Sequence, residues 1–197
     1  MTITGRRSNC AAVCRALDDI YPMTLKYQPH QDANGRVIEP PSEYVSRMQS
    51  GPLRHWPGEV LREWLHRHPN NMEDYAFFGF EKFRFRKEWW ELARVPGKEA
   101  FRDERFLENF ENVEQRAAEN QHDWLAHYML REGTWNTPIV LFDNPHPVRS
   151  WLKKGIRTPY HLLEGHRRLS FLLGLKRLGI AQSRHALWIV HIEIDAG

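Results

Sequence analysis

The clearest hydrophobic pattern lies in the last third of the chain. A short apolar run at residues 160–163 predicts a buried strand, which ends at Glu164 and Gly165. Apolar residues then recur at helical spacing from 169 to 178, which predicts a helix. Gly179 follows two basic residues of the last turn, and glycine commonly ends helices in this way. The pattern therefore predicts a strand that runs directly into a helix.

Further periodic segments surround this strand and helix. Apolar runs at residues 138–142 and 186–192 predict two more strands. Two acidic helices are predicted upstream, at 99–118 and 120–131. Strands and helices in this order predict an α+β fold, in which helices pack on a small mixed β-sheet.

The N-terminal part of the chain is predicted to be mostly helical. Pro57 is suited to the first turn of an amphipathic helix, which continues to about Leu65. Prolines are frequent between residues 21 and 42, and Asn34-Gly35 predicts a hairpin turn there. Shorter helices are predicted at 8–20, 42–49 and 73–78.

A break at Pro96-Gly97 suggests how the chain is divided. We expect residues 1–97 to form a helical, aromatic-rich region. Residues 98–197 are expected to form the α+β core. The pattern alone leaves open whether the first part is a separate domain or wraps around the second.

Composition narrows the class of protein. A chain of 197 residues with 41% hydrophobic and 12% aromatic residues is expected to fold as a globular protein. No apolar run approaches the roughly 18 residues of a membrane span, and the N-terminus lacks the apolar core of a secretory signal. Cys10 and Cys14 are poorly spaced for a disulfide and too few for a metal site. We expect a cytoplasmic protein with no membrane partner and no structural metal.

Charge is distributed unevenly along the chain. Between Arg149 and Arg184 there are nine lysines and arginines and a single acid, Glu164, so this segment carries about +8. The remaining 19 basic and 24 acidic residues leave the rest at about −5. Such asymmetry favours a surface that meets a polyanion, either a nucleotide or a nucleic acid. The alternative is a basic face that the protein's own acidic helices neutralise.

The junction between the central strand and helix concentrates positive charge. It carries Gly165, His166, Arg167 and Arg168 at a predicted helix N-terminus, where unpaired N–H groups and the helix dipole already favour anions. Two arginines at this position are unfavourable unless something negative binds, most simply a phosphate. Two other interpretations stay open. The arginines could point to solvent or pair with acids elsewhere, and Gly165 could only make a tight turn.

With these residues placed, the last third of the chain resembles the ParB/sulfiredoxin superfamily. The family pattern is a helix, a Pro-Ile-hydrophobic strand, a strand running into a G-x-x-R turn and helix, and a hydrophobic strand. The matching segments are residues 124–133, Thr137-Pro138-Ile139-Val140, residues 162–169 and residues 187–192. The resemblance implies a ParB/sulfiredoxin-like core in which Gly165 and Arg168 bind phosphate, with His166 and Arg167 beside them.

The chain departs from two branches of that family. His166 stands where sulfiredoxins have their reactive cysteine, so reductase activity is not expected. After the last strand we find no helix-turn-helix segment of the kind that partition proteins use for centromere recognition, nor an upstream box that implies CTP specificity. Other members of this fold carry out NTP hydrolysis, phosphoryl transfer or nuclease-like reactions, usually near plasmids, phages or mobile elements.

The leading hypothesis is a protein that binds, and hydrolyses, a nucleoside triphosphate in a DNA-related process. Backbone N–H groups from Gly165 onward and the Arg168 side chain would hold the phosphates. Arg167, Lys153 and Lys154 would add positive charge. Nuclease-like phosphoryl transfer belongs to the same class of reaction.

Two residues at the junction are candidates for catalysis. Glu164 could position the attacking water or hold Mg²⁺, because it is the only acid of the basic segment. His166 could contact phosphate or act as an acid or base near neutral pH. Each has a plainer alternative, in which Glu164 neutralises an arginine and His166 is a structural turn residue.

An aromatic patch lies between residues 80 and 90, where basic residues alternate with phenylalanines and tryptophans. Such patterns can stack bases and hold backbone phosphates, or they can form a strand face packed on the core. The candidate nucleic-acid or partner surface comprises Arg84, Arg86, Trp89 and Trp90. The rival to the enzyme hypothesis is a non-catalytic interaction or inhibitor protein that binds a protein partner through this patch.

A metal-dependent nuclease is a third hypothesis. Its candidate ligands are His122, Asp123 and His127, with Glu119 nearby. Their spacing matches no zinc motif, so this hypothesis ranks last.

Overall fold

A computed structural model describes residues 25–146 and 155–193, without the side chains of residues 108–110. The chain divides into two compact units, Met1–Arg84 with Ile192–Gly197, and Phe85–His191. Residues 85–97, which the sequence pattern groups with the N-terminal region, belong to the second unit. The helix predicted at 8–20 and the candidate ligands Lys153 and Lys154 lie outside the described residues.

The first unit consists of short helices. Its elements are α1 (Pro41–Gln49), α2 (Gly58–Val60), a π-helix (Leu61–His66), α3 (Met72–Tyr75) and 3₁₀ turns at Pro69–Asn71, Ala76–Phe78 and Phe80–Lys82. The helices predicted at 42–49 and after Pro57 are confirmed, and the second continues as a π-helix. Gly35 has a φ of +76° beside an antiparallel bridge from Gln31 to Val37, which confirms the predicted hairpin turn.

The core of the first unit is aromatic. Trp56 stacks on Phe83 at 5.5 Å between ring centroids and on Trp64 at 5.8 Å. Phe80 meets the Trp56 ring edge-on, and its carbonyl oxygen accepts a hydrogen bond from Trp56 Nε1 at 3.0 Å. Two members of the aromatic patch, Phe80 and Phe83, are therefore core residues.

The second unit contains a mixed sheet and its helices. The elements from residue 83 onward are β1 (Phe83–Glu91), a 3₁₀ turn (Lys98–Ala100), α4 (Arg105–Phe110), α5 (Val113–Glu119), α6 (Trp124–Glu132), β2 (Ile139–Asp143), β3 (Tyr160–Glu164), α7 (His166–Leu178) and β4 (Arg184–Ile192). The predicted α+β class with a small mixed sheet is confirmed.

One predicted helix is wrong as a single element. The segment 99–118 is divided among a 3₁₀ turn, α4 and α5. Asp103 Oδ1 accepts a hydrogen bond from the Arg105 backbone N–H at 3.0 Å, and Asn112 Oδ1 accepts one from Gln115 N–H at 3.4 Å. Short polar side chains that bond to backbone N–H groups in this way start helices afresh, so the segment is interrupted twice.

The sheet has the order β1-β4-β2-β3. Strand β2 is antiparallel to β3, with Leu141 opposite Leu162, and parallel to β4, with Leu141 opposite Ile189. One face of the sheet packs against the helices. The buried cluster on this side includes Trp90, Leu125, Ala126, Met129, Ile139, Leu141, Leu162, Leu169, Phe171, Leu172, Leu175, Leu187 and Ile189.

Glycines end two helices of the second unit, and the helix end predicted at Gly179 is confirmed. Gly133 after α6 has a φ of +67° and Gly179 after α7 has a φ of +72°, both in the left-handed region that glycine tolerates best. Within the described ranges, the helices are all too short or too polar to cross a membrane.

Candidate phosphate-binding site

The junction of β3 and α7 depends on Gly165. Its φ is +99°, and a Cβ placed on it would lie 2.5 Å from Ile139 Cγ2. The missing side chain therefore lets the turn lie directly against β2 and start α7 at His166. The Leu169 N–H donates to the Gly165 carbonyl at 2.9 Å, so the preceding N–H groups of the first turn have no acceptor within the helix.

Arg168 lies inside the protein beside this turn. Its side chain is 9% exposed and donates from Nη2 to Glu164 Oε1 at 3.0 Å and from Nη1 to the Thr137 carbonyl at 3.1 Å. The Glu164 side chain is 11% exposed. The predicted phosphate ligand and the predicted catalytic acid thus form a buried ion pair, which ties α7 to β3 and to the segment before β2.

Arg167 pairs with an acid from a different helix. Its Nη2 donates to both carboxylate oxygens of Asp123, at 2.7 and 2.6 Å, and Arg116 Nε donates to the same carboxylate at 3.2 Å. Asp123 also accepts the Ala126 N–H as the N-cap of α6. Both arginines of the junction therefore find acids of the chain itself, which is one of the alternatives that the sequence left open.

Asp123 is charged although it is buried. Burial acts to raise the pKa of its carboxyl, but the Ala126 N–H and the charges of Arg167 and Arg116 outweigh burial and hold that pKa below its usual value. Two guanidinium groups share this one carboxylate. Positive charge is thus concentrated at the start of α7.

His166 sits among aromatic and histidine side chains. Its ring meets the edges of Phe101 and Phe106, at 5.9 and 5.4 Å between centroids. His161 is fully buried nearby, and its Nδ1 accepts the Arg157 backbone N–H at 3.2 Å. Burial, followed by the charges of His166, Arg102 and Arg157, lowers the pKa of His161 to about 3, so its ring is neutral at pH 7.

Arg157 is the site residue to which the sequence assigns no role. Its Nε donates to the Phe101 carbonyl at 2.8 Å and its Nη2 to the Arg102 carbonyl at 3.2 Å. Within residues 25–146 and 155–193, this guanidinium pairs with no carboxylate. The only sequence signal was its place in the basic segment. Its charge is held in position by carbonyl groups and meets no acid among the described residues, and both Arg157 and His166 act on the pKa of His161.

The four residues of the candidate surface on β1 lie in different environments. Trp90 is buried, and its Nε1 donates to Glu88 Oε2 at 2.6 Å, so it does not lie on a surface. Arg86 also pairs with Glu88, and Arg84 pairs with Glu193. Trp89 is 61% exposed. Of the four residues, the tryptophan at 89 is the one with a large apolar surface open to a partner.

The candidate metal ligands were also located. In the part of the chain that the structure describes, no three His, Cys, Asp or Glu side chains are grouped to hold a metal ion. Asp123, a member of the proposed nuclease set, is occupied by Arg116 and Arg167.

Comparison of the chain with models of protein families, with curated proteins and with solved structures finds no match.

Proposed function

We propose that this chain is a nucleotide-binding protein that holds a phosphate group at the N-terminus of α7. The observation that carries the proposal is Arg157. A guanidinium with only carbonyl partners in the described residues is fixed on the backbone of Phe101 and Arg102, and the Phe101 ring contacts His166, the first residue of the 13-residue helix α7. A phosphate would supply the missing negative charge and accept hydrogen bonds from both the guanidinium and the backbone N–H groups.

The order of the elements supports the same proposal. Helix α6, strand β2, strand β3, the Gly165 turn, helix α7 and strand β4 follow one another as in the ParB/sulfiredoxin pattern. In the proposed site the backbone of residues 166–168 and the side chains of Arg157 and Arg167 contact phosphate. The buried Arg168 stabilises the turn through its hydrogen bonds to Glu164 and to the Thr137 carbonyl. Lys153 and Lys154 remain predicted contributors.

The geometry favours binding over hydrolysis. A general base must reach water and offer a lone pair to its proton. Glu164 is nearly buried and its Oε1 already accepts from Arg168, so we assign it the role of positioning Arg168. Hydrolysis with Glu164 and Mg²⁺ stays a prediction, and release of phosphate from the same samples tests it.

Calorimetric titration with ATP, CTP, GTP, ADP and pyrophosphate, with and without Mg²⁺, tests the proposal. We expect saturable 1:1 binding of at least one nucleotide. Arg157→Gln should weaken it about tenfold or more, since a charge-assisted hydrogen bond contributes about 1.5–3 kcal/mol. Thermal unfolding of each variant checks that the fold is retained.

Arg177→Gln is the matched control. It removes the same charge from the far end of α7, where the side chain is exposed and pairs with Glu111. Nucleotide affinity should be unchanged in this variant. Equal affinity in wild type and Arg157→Gln, or no binding of any nucleotide, would overturn the proposal.

A further inference from the structure

One face of β1 presents aromatic side chains away from the helices. Side chains alternate along a strand, so Phe85, Lys87 and Trp89 share one face and Trp90 belongs to the other. Trp90 joins the buried cluster, whereas Trp89 is 61% exposed. Because β1 is at one end of the strand order, this face lies beside an edge of the described sheet.

Strand β4 adds a second tryptophan to this face. The half-buried Trp188 ring lies 6.5 Å from Phe85 at an angle of 83°, and Lys87 Nζ lies 5.3 Å from the centroid of the same ring. We call Phe85, Lys87, Trp89 and Trp188 the β1–β4 platform. It combines aromatic rings with an ammonium group on neighbouring strands of one sheet, and shares no residue with the site at α7.

We propose that the β1–β4 platform binds single-stranded nucleic acid without sequence preference. Bases stack on aromatic side chains at about 1–3 kcal/mol each, because every base has a π-face. Lysines beside the rings attract the phosphates. On this face Lys87 supplies positive charge that complements the phosphates of a polyanion, whereas Arg84 and Arg86 pair with Glu193 and Glu88. Single-stranded nucleic acid offers both unpaired bases that stack on the rings and phosphates that attract the lysine.

Exposure of a tryptophan alone would not support this inference. Trp124, on α6, is 53% exposed as well. What distinguishes Trp89 is its position on one face with a second tryptophan, a phenylalanine and a lysine. Trp124 therefore serves as the matched control for the loss of an exposed indole from the same unit.

Fluorescence anisotropy with labelled 12-nucleotide poly(dT) and poly(rU) strands tests the proposal on the full chain at low salt. Trp89→Ala should weaken binding about 5- to 150-fold, the range for loss of one stacked base. Lys87→Gln should lower the slope of log affinity against log salt by about 1. Trp124→Ala should bind like the wild type. Quenching of tryptophan emission by the strand should be smaller in Trp89→Ala, where only Trp188 remains on the platform.

Several outcomes would overturn the proposal. They are equal losses in Trp89→Ala and Trp124→Ala, binding of a duplex as tight as that of the single strand, and no binding of either strand. Trp89-dependent binding of an acidic peptide with no affinity for nucleic acid would assign the platform to a protein partner instead. Circular dichroism of Trp89→Ala, whose side chain is exposed, establishes that the variant is folded.

Discussion

At the residue scale, Gly165 is the position where the site depends most directly on one side chain being absent. We expect Gly165→Ala to destabilise the protein by about 2–4 kcal/mol. The added Cβ would lie 2.5 Å from Ile139 Cγ2 and 2.9 Å from Ile139 Cβ, and the left-handed backbone at φ +99° disfavours alanine as well. The urea concentration at half-unfolding measures this loss.

Gly179→Ala separates the two causes of that loss. Gly179 also has a positive φ, +72°, but a Cβ there would meet no atom within 4 Å. Only the backbone penalty of about 1 kcal/mol should appear. Equal losses at the two glycines would show that contact with Ile139 does not explain the need for glycine at 165.

The sequence could predict the position of the arginines but not their partners. The motif places Arg167 and Arg168 in the first turn of α7, and the structure agrees. Asp123, which pairs with Arg167, lies 44 residues earlier, and the Phe101 carbonyl that holds Arg157 lies 56 residues earlier. Pairing over such separations depends on how helices and sheet pack. Local charge patterns therefore could not distinguish a phosphate ligand from an internal ion pair.

At the scale of elements, Asp123 links three helices. It caps α6 and pairs with Arg116 of α5 and Arg167 of α7. We expect Asp123→Asn to lower the free energy of unfolding by about 1–3 kcal/mol at pH 7, because asparagine still caps a helix but brings no charge to the arginines. Urea unfolding at a series of pH values measures it.

The lowered pKa of Asp123 determines how its contribution to the free energy of unfolding changes with pH. The pKa of Asp123 is lower in the folded protein than its usual value, so its contribution is present above about pH 4 and is lost as the pH falls further. Wild type and Asp123→Asn should therefore converge in acid. The exposed Asp103, which pairs with Arg105, provides a control, and Asp103→Asn should unfold like the wild type. A gap that does not narrow as the pH falls below about 4 would contradict the electrostatic explanation.

Helices and strands could be predicted from the sequence where the hydrophobic periodicity agreed with the residues that typically end such elements. Strand β3, helix α7 and the glycine after it combine an apolar run, helical spacing and a positive-φ stop, and all three are confirmed. The segment 99–118 offered helical spacing alone, and side chains of Asp103 and Asn112 interrupted it. Hydrogen bonds from such side chains to the backbone compete with helix continuation, and spacing does not reveal which one prevails.

At the scale of the whole molecule, strand order was the feature that the sequence could not supply. Strand β1 stands next to β4 in the sheet although about a hundred residues separate them in the chain. That neighbour relation places residues 85–97 in the second unit and brings Trp188 to the face that carries Trp89. The break at Pro96-Gly97 lies within the second unit, between β1 and the 3₁₀ turn at Lys98–Ala100.

The two proposed sites should act independently in the intact chain. One lies at the β3–α7 junction and the other on β1 and β4, with no residue in common. Saturation with the nucleotide that binds most tightly should leave the affinity for a labelled 12-nucleotide strand unchanged within about twofold, at ionic strength matched with NaCl. Arg157→Gln should lose affinity for the nucleotide only, and Trp89→Ala should lose affinity for the strand only. The double variant should lose affinity for both ligands. Displacement of the strand by nucleotide would instead mean that the phosphates of the nucleic acid occupy the α7 site. In that case the chain has one polyanion site, and Arg157→Gln should weaken both ligands to the same extent.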